Sequence, residues 1–168
     1  ELNKKFNIIK TNTNLLDIGA SPGGWSQIAS KIIQTGKILS IDLKEMDPIK
    51  NVKFLKSDFQ SNTSKKKILD FFPSKIDSVI SDMASNTTGN KNLDCIRTNL
   101  LCLEVINFSI SIIKKNGSLI SKLFMGEDFL EVKKEAKKKF KIVEFFKPES
   151  SRNESRETYI HCKGIKPL

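Results

Sequence analysis

The stretch from Leu15 to Gln27 constrains the fold more than any other part of the chain. It reads as an apolar strand, a turn that contains Gly19, Gly23 and Gly24, and the start of a helix. Glycine tolerates positive φ and lets a ligand approach the backbone closely, because it has no Cβ. A helix that begins near Gly24 also offers free N–H groups and the positive end of its dipole. This unit predicts a nucleotide-type binding site at the carboxyl end of a parallel strand.

Strands and helices alternate along the rest of the chain, which predicts a mainly parallel sheet with helices on both faces, an α/β fold. The final two strands are joined by the polar loop from Lys147 to Arg156, which contains no helix, so the last strand can be antiparallel. Strands are expected at about 14–18, 37–42, 52–56, 76–81, 118–124, 140–146 and 157–163, and helices at about 24–34, 64–72, 92–114 and 127–139.

The predicted helix over 92–114 carries apolar residues at helical spacing, which predicts one buried face formed by Leu93, Ile96, Leu100, Leu103, Ile106, Ile110 and Ile113. Its apolar run is shorter than the roughly 20 residues that span a bilayer, so no membrane association is expected. The 168 residues suit a single domain, 1–168. Glu1 reads as a cut inside a longer chain, and an N-terminal segment of the full-length protein is expected to be missing.

The net charge of +10 favours a polyanionic partner, nucleic acid first, over a merely solvated surface. Cys95 and Cys102 are seven residues apart on a helix, about 10 Å, which exceeds disulfide reach. With His161 as the only histidine, no zinc cluster and no other metal site is predicted. The cysteines are therefore expected to be reduced, as in an intracellular protein of the cytoplasm or of an organelle such as the mitochondrion. The protein is also expected to be a monomer.

The glycine turn lacks the G-x-G-x-x-G spacing that holds a dinucleotide pyrophosphate, which disfavours a nicotinamide cofactor. Asp42 ends the second strand, 42 − 24 = 18 residues after Gly24, where an acid suits a ribose diol. A ribose without a pyrophosphate indicates an adenosyl ligand such as S-adenosylmethionine. Asp58, after the third strand, is placed to accept a hydrogen bond from an adenine amino group. Either acid alone also fits a simple cap of a strand end.

The residues from Gly19 to Gly23 also match G-x-S-x-G, the nucleophile turn of serine hydrolases, and Asp82 and His161 follow in a suitable order. The residue after the serine must donate a backbone N–H to the oxyanion, and Pro22 has none. A hydrolase is therefore disfavoured.

Asp82 closes the fourth strand, and Lys122 lies inside an otherwise apolar fifth strand, where a charge is costly unless it is paired. Glu157, at the start of the last strand, is placed to join them. A structural ion pair would explain any one of these residues. Three charges at one sheet edge, beside an adenosyl site, favour a catalytic cluster.

These residues belong to a pattern that resembles the FtsJ/RrmJ family of ribosomal RNA 2′-O-ribose methyltransferases. The resemblance covers essentially the whole chain in order, and S-D-M-A resembles the large-subunit enzymes more than the tRNA- or cap-methylating relatives. The matching segments are D-I-G-A-S-P-G-G-W-S-Q (17–27), I-D-L with M-D-P-I (41–49), S-D-F (57–59), S-D-M-A-x-N-x-x-G (81–89), K-L-F-x-G-E (122–127) and K-P-x-S-S-R-x-x-S-R-E-x-Y (147–159).

The resemblance implies a Rossmann-like class I methyltransferase fold with a seven-stranded sheet, and S-adenosylmethionine as cofactor, released as S-adenosylhomocysteine. It implies a uridine of large-subunit ribosomal RNA, or the large subunit itself, as substrate. The implied catalytic residues are Lys122, Asp82 and Glu157. The implied cofactor contacts are Gly19, Ala20, Ser21, Pro22, Gly23, Gly24, Trp25, Asp42, Leu43, Asp58, Phe59 and Asp82.

Two departures from the family pattern matter. Ser85 stands where the family usually has proline, and the family's first catalytic lysine would fall a few residues before Glu1. Residues 1–168 alone are therefore expected to bind S-adenosylmethionine but to methylate poorly. The alternatives are a tRNA or other RNA ribose methyltransferase, and a catalytically weak RNA-binding relative.

Arg152 and Arg156 lie in the loop before Glu157 and are the predicted RNA contacts. The lysine runs at 65–67 and 133–141 are expected to be mainly solvated helix faces, with a subset that binds phosphates.

Overall fold

The computed structural model describes residues 1–126, 128–152 and 154–167. Glu127, the last residue of the K-L-F-x-G-E segment, lies outside the described residues, as do Asn153 and Leu168. The helices are α1 (Leu2–Phe6), α2 (Gly24–Ile32), α3 (Asn62–Phe71), α4 (Lys91–Ile112) and α5 (Phe129–Lys139). The strands are β1 (Leu15–Ile18), β2 (Ile38–Asp42), β3 (Val52–Lys56), β4 (Ile76–Ser81), β5 (Ile113–Phe124), β6 (Phe140–Phe146) and β7 (Glu157–Ile165).

The strands form one sheet in the order β3-β2-β1-β4-β5-β7-β6. The pairs from β3 through β5 are parallel, whereas β7 is antiparallel to both β5 and β6. This confirms the predicted mostly parallel, seven-stranded sheet with an antiparallel last strand. Because β7 runs in reverse, its first residue, Glu157, pairs with Phe124 at the last residue of β5. The carboxyl edge of the parallel strands therefore also receives the start of β7.

Helices cover both faces of the sheet, as predicted. α3, α4 and α5 pack on one face, where Ile68, Val105 and Val132 join the larger buried cluster. α2 and α1 pack on the other face through Ala29, Ile33 and Phe6. Side chains alternate along each strand, so Leu119 and Leu123 face the three-helix side while Ile120 faces α2.

Of the seven residues predicted to form the buried face of the long helix, Ile106 and Ile113 are buried, and Ile113 belongs to β5 rather than to α4. The rest of the predicted face is wrong. The buried residues of α4 are Cys95, Thr98, Asn99, Cys102, Val105, Ile106, Phe108, Ser109 and Ile112, whereas Ile96 and Leu100 are exposed and Leu93, Leu103 and Ile110 are half-buried. Apolar residues occur all around this helix, so their spacing does not select a face. The buried face includes a polar side chain that bonds to the end of β5: Asn99 Nδ2 donates to the Phe124 carbonyl at 2.9 Å, and Asn99 Oδ1 accepts from the Phe124 N–H at 2.7 Å.

The apolar segment in α4 is longer than the sequence analysis predicts. With 22 residues, α4 is long and apolar enough to cross a membrane by length and composition, although half of the apolar window is buried inside the protein. Packing of α4 against the sheet and α5 accounts for its apolar composition, since the core helix of a domain needs the same residues.

The boundary between α4 and β5 differs from the prediction too. β5 begins at Ile113, so Asn116 and Gly117 lie within a strand rather than in a turn before Ser118. Ile113 pairs with Ile76, and the register then shifts before Ser118 pairs with Ser78. This irregular stretch of β5 contains more residues than the facing part of β4, and α4 continues into β5 without a separate loop.

Candidate active site

The turn between β1 and α2 depends on glycine at two positions. Gly19 has φ +74°, and Gly23 has φ +116°. A Cβ on Gly19 would lie 2.8 Å from Met83 Cγ, and a Cβ on Gly23 would lie 3.1 Å from both Ile49 Cδ1 and Met46 Sδ. Gly23 is the N-cap of α2 and makes no side-chain cap hydrogen bond. The first N–H groups of α2 are therefore oriented toward whatever approaches the carboxyl edge.

The serine of the hydrolase-like motif is engaged in holding this turn. The Ser21 N–H donates to Asp42 Oδ2 at 2.9 Å, and Ser21 Oγ donates to the Glu45 carbonyl at 3.1 Å. His161 lies in β7, where its ring stacks on Phe6 with centroids 4.2 Å apart and Nδ1 contacts Glu144 Oε2 at 3.2 Å. Burial lowers the pKa of His161. Ser21 thus bonds to Asp42 and Glu45, whereas His161 contacts Phe6 and Glu144.

The two acids after β2 and β3 both cap backbone N–H groups. Asp42 Oδ1 accepts from the Lys44 N–H and Asp58 Oδ1 accepts from the Gln60 N–H, each at 2.9 Å. The capping interpretation and the ligand interpretation are compatible, because a carboxylate oxygen has more than one lone pair.

The residues that follow these acids differ in exposure. Leu43 is 66% exposed beside Asp42, so its side chain is available to a ligand. The Phe59 side chain is buried against Phe108, with ring centroids 5.3 Å apart, which leaves only its backbone for a predicted cofactor contact.

Asp17 is a candidate site residue that the sequence analysis missed. It is fully buried, Ser26 Oγ donates to its Oδ2 at 2.6 Å, and its Oδ1 has no hydrogen-bond partner among the described residues. Burial raises the pKa of Asp17 to about 7, the Ser26 hydrogen bond partly offsets this, and Asp82 and Asp42 add to it. The available signal was an acid inside the otherwise apolar strand Leu15–Ile18.

The three charged residues of the predicted catalytic cluster come together at the carboxyl edge. Lys122 Nζ lies 3.3 Å from Asp82 Oδ1 and 3.4 Å from Glu157 Oε2. The Lys122 side chain is 13% exposed, whereas those of Asp82 and Glu157 are 37% and 30% exposed. The ammonium group is thus shielded, and the two carboxylates open toward solvent.

Tyr159 joins this cluster, although the sequence analysis assigned it no role beyond its place in E-x-Y. Its hydroxyl donates to Asp82 Oδ1 at 2.7 Å and lies 3.3 Å from Glu157 Oε1. Burial and the adjacent Asp82 carboxylate raise the pKa of Tyr159, so it stays a hydrogen-bond donor. Its ring packs on Trp25, with centroids 5.6 Å apart. Tyr159 thereby links the cluster to the glycine turn.

The loop after β6 carries the two arginines predicted to contact RNA, and their settings differ. Arg152 is exposed. Arg156 Nη1 lies 3.3 Å from Asn92 Oδ1 and 3.6 Å from Cys95 Sγ, so it connects the loop to α4. Lys147 closes the base of the loop by donating to the carbonyls of Ser155 and Glu157 at 2.6 and 3.0 Å.

The carboxyl edge fits a small cationic ligand with a ribose. Asp17, Asp42 and Asp58 form no ion pair with a lysine or arginine in the part of the chain that the structure describes. The orphan Asp17 Oδ1, the uncapped start of α2 and the close backbone approach at Gly19 and Gly23 add donors and acceptors around it. Such a set suits an adenosyl compound that carries positive charge.

The sheet order with a reversed β7 between β5 and β6, together with this acidic glycine-turn site, defines a Rossmann-like methyltransferase. Residues 1–165 match the model of the FtsJ-like methyltransferase family, and the chain belongs to this family. It is 47% identical to a ribosomal RNA large subunit methyltransferase E of Pelagibacter ubique over 166 residues, which cover 99% of this chain and 82% of the relative.

Solved structures share the fold. A ribosomal RNA methyltransferase crystal structure from Plasmodium falciparum superposes with a TM-score of 0.85 at 31% identity, covering 98% of this chain and 92% of the other. A Streptococcus mutans methyltransferase structure in complex with SAH has a TM-score of 0.64 at 15% identity, covering 98% and 95% of the two chains. At 15% identity, the similarity to the Streptococcus mutans protein shows a shared fold alone.

Proposed function

We propose that this chain is an S-adenosylmethionine-dependent RNA 2′-O-ribose methyltransferase that acts on a uridine of large-subunit ribosomal RNA. The observation that carries the proposal is the Lys122 ammonium between the Asp82 and Glu157 carboxylates at the carboxyl edge. Family membership supports methyl transfer, and the name of the Pelagibacter relative supports a ribosomal RNA substrate. A ribose hydroxyl must lose its proton as it accepts the methyl group, and Lys122 is the side chain proposed to take that proton.

The residues proposed to hold S-adenosylmethionine are those of the glycine turn and the acids of the carboxyl edge. Backbone N–H groups from Gly19 to Trp25 would face the amino-acid part, Asp42 the ribose, and Asp58 with the Phe59 backbone the adenine. When bound, the sulfonium supplies an electrophilic methyl group. The SAH complex of the Streptococcus mutans protein supports this cofactor, because the two chains share a fold.

Lys122 is proposed to release its ammonium proton to solvent and then, as the neutral amine, to accept the proton of the ribose 2′-hydroxyl as the oxygen becomes a nucleophile. Asp82 and Glu157 hold its Nζ at the carboxyl edge. Tyr159 fixes the Asp82 carboxylate through a hydrogen bond of 2.7 Å. The protein therefore contributes orientation and a proton acceptor.

The partners proposed are ribosomal RNA or the large ribosomal subunit, with Arg152 and Arg156 as RNA contacts. The protein is proposed to act as a monomer. We assign the apolar α4 to the core rather than to a membrane. The protein is placed inside the cell, where ribosomes are made.

Transfer of a labelled methyl group by the full-length protein from S-adenosylmethionine to large ribosomal subunits that lack the modification tests the proposal. After alkaline hydrolysis of the RNA, the label is expected in a dinucleotide, because a 2′-O-methyl group blocks cleavage of the adjacent phosphodiester bond. Label in a mononucleotide would place the methyl group on a base and contradict a ribose acceptor. Transfer to small subunits alone would contradict the large-subunit assignment.

A further inference from the structure

An open groove on the outer side of α5 is lined almost entirely by lysines. It has a volume of about 500 Å³. Leu130 is its one apolar lining residue, and no aspartate or glutamate lines it in the part of the chain that the structure describes. Because no acid interrupts the lining, the groove is a continuous positive surface. Its lysines are Lys133, Lys134, Lys137 and Lys138 of α5 and Lys166 after β7.

The four lysines of α5 lie on one face of the helix, in two pairs. Residues 133 and 137, like residues 134 and 138, are one turn apart, which is about 6 Å along the helix axis. Successive phosphates along an RNA strand have a comparable spacing. The opposite face of α5 is buried in the core through Val132 and Ala136. The groove therefore presents two short rows of ammonium groups on a helix whose other side is fixed.

Lys166 extends the groove past the end of α5. Its backbone N–H donates to the Lys139 carbonyl at 2.9 Å, and its Nζ donates to the Lys137 carbonyl at 2.5 Å. These two bonds hold the end of β7 against the last turn of α5. The fifth lysine is thus brought to the groove by the tertiary structure, from 27 positions beyond the end of α5.

Most of the charge in the groove has no carboxylate partner. Glu135 lies 3.1 Å from Lys138 and forms a longer contact of 3.9 Å with Lys139. The other three lysines of α5 that line the groove form no ion pair among the described residues. Like charges one turn apart repel each other on a helix. A polyanion along the groove would relieve this repulsion and release small counterions.

The start of α5 is tied to the edge of the sheet that carries Lys122. Asn99 Nδ2 donates to the Phe124 carbonyl at 2.9 Å and to Oδ1 of Asp128, the N-cap of α5, at 2.8 Å. Phe124 ends β5, two residues after Lys122. The lysines of α5 lie about 6 to 14 Å along the helix from its first residue. The groove therefore begins near the carboxyl edge and leads away from it along the side of the molecule.

The lining favours a phosphate backbone over a base or a lipid. Lysine carries a compact charge that contacts phosphate without reading the edges of bases. No aromatic ring lines the groove, so it offers no surface for base stacking. Helices that bind membranes need an exposed apolar face, whereas the apolar face of α5 is in the core and leaves Leu130 exposed.

We propose that this groove binds the sugar–phosphate backbone of the RNA substrate, away from the nucleotide that is methylated. A segment of large-subunit RNA then runs from the carboxyl edge along α5. The proposal rests on the proposed function and deepens it, because it adds a second RNA surface that does not depend on base sequence.

The test uses the full-length protein with Lys134→Gln and Lys137→Gln combined, which removes one lysine from each pair. Filter binding to large ribosomal subunits that lack the modification, with S-adenosylhomocysteine present, gives log K against log salt. The slope is expected to decrease by about 1.4 to 1.8, since each lost phosphate contact contributes about 0.7 to 0.9. KM for the subunits should rise roughly 10-fold. The kcat should not change, because Lys122 and its partners are intact.

Two double variants serve as controls. Lys66→Gln with Lys67→Gln removes two exposed lysines of α3 and should change the slope less than half as much. Lys134→Arg with Lys137→Arg keeps both charges and should retain the wild-type slope. The Tm of the glutamine variant of α5, measured without RNA, should equal or exceed that of wild type, because repulsion within the helix is reduced.

Equal slope changes in the α3 and α5 glutamine variants would overturn the α5 site, since the effect would then be one of net charge. Loss of slope in the arginine variant would also overturn it. If the α5 glutamine variant lost binding to phosphatidylglycerol vesicles but bound subunits like wild type, the groove would be a lipid surface instead. Absence of ribose methylation by the wild type would refute the proposed function, and the binding slopes are measured without turnover.

Discussion

The carboxylates at the two halves of the carboxyl edge are stabilised in different ways. On the β1–β3 side, Asp42 and Asp58 accept backbone N–H groups, and Asp17 is buried beside Ser26. On the β4–β7 side, Asp82 and Glu157 share the Lys122 ammonium and the Tyr159 hydroxyl. In the part of the chain that the structure describes, Asp42 and Asp58 have no lysine or arginine ion-pair partner, which suits a cationic ligand. The second group already contains its cation, Lys122, which we propose takes part in proton transfer.

Removing that cation should have the largest effect. Lys122→Met is expected to reduce the rate of methyl transfer by roughly 100- to 10,000-fold, the usual contribution of a positioned acid–base group. Its Kd for S-adenosylhomocysteine should stay within a few-fold of wild type, because the acids of the β1–β3 side are intact. Single-turnover transfer and calorimetric titration measure the two quantities.

Lys163→Met is the matched control, since Lys163 is an exposed lysine of the neighbouring strand β7. A Lys122→Met protein that turns over like wild type would remove Lys122 from the chemistry. A large loss of S-adenosylhomocysteine affinity in Lys122→Met would show that both halves of the carboxyl edge contribute to cofactor binding.

Asp17, on the β1–β3 side, should make the free energy of unfolding depend on pH. Its pKa is 3.8 in the unfolded chain and about 7 in the fold, because burial disfavours the carboxylate. As pH rises from about 4 to 7, the unfolded state ionises first, and the wild type should lose up to about 4 kcal/mol of unfolding free energy. Above pH 7 both states are ionised, and no further loss from this group is expected.

Asp17→Asn should lack this slope, so the difference in unfolding free energy between variant and wild type should grow from pH 4 to pH 7. Urea unfolding followed by circular dichroism at several pH values measures it. A difference that stays constant with pH would mean that Asp17 is ionised in the folded protein throughout this range.

The glycine turn should tolerate a side chain at one position and not at its neighbour. Gly23→Ala is expected to cost about 1–3 kcal/mol of unfolding free energy, because alanine is strained at φ +116° and its Cβ meets Met46 and Ile49. Gly24→Ala has open space and begins α2, so its stability should stay within about 0.5 kcal/mol of wild type. Thermal and urea unfolding compare the pair, and equal losses would refute the steric explanation.

The smallest effect is expected outside the two carboxylate groups, at the arginine loop. Arg152→Gln should weaken RNA binding and reduce the slope of log K against log salt by about 1, as for one lost phosphate contact. Arg156→Gln should reduce the slope less, because its guanidinium is turned toward Asn92 and Cys95. Filter binding at several salt concentrations measures both slopes. Lys66→Gln on α3 is the control for loss of one exposed charge. An equal change of slope in Lys66→Gln and Arg152→Gln would show that Arg152 has no specific role in RNA binding.

Most of the sheet could be predicted from the sequence because its signals are local. Apolar strand segments, the glycine turn and the helix-free loop before Glu157 predict the order of elements and the reversed last strand. The buried face of α4 could not be predicted, since this helix is apolar all around. Contacts with distant residues are part of that face, such as the hydrogen bonds of Asn99 to Phe124, 25 positions away. The start of β5 was missed for a similar reason, since pairing with Ile76 extends the strand through Asn116 and Gly117.

The sequence by itself determined the class of site, because glycine spacing, the acids after strands and a lysine inside an apolar strand are written in the chain. Only the tertiary structure decided how these groups combine. Lys122 of β5 meets Asp82, which follows β4, and Glu157 of β7. Tyr159 bonds to Asp82 and packs on Trp25, and Asp17 Oδ1 has no hydrogen-bond partner among the described residues. These properties depend on burial and on distances across the sheet, which local sequence signals do not encode.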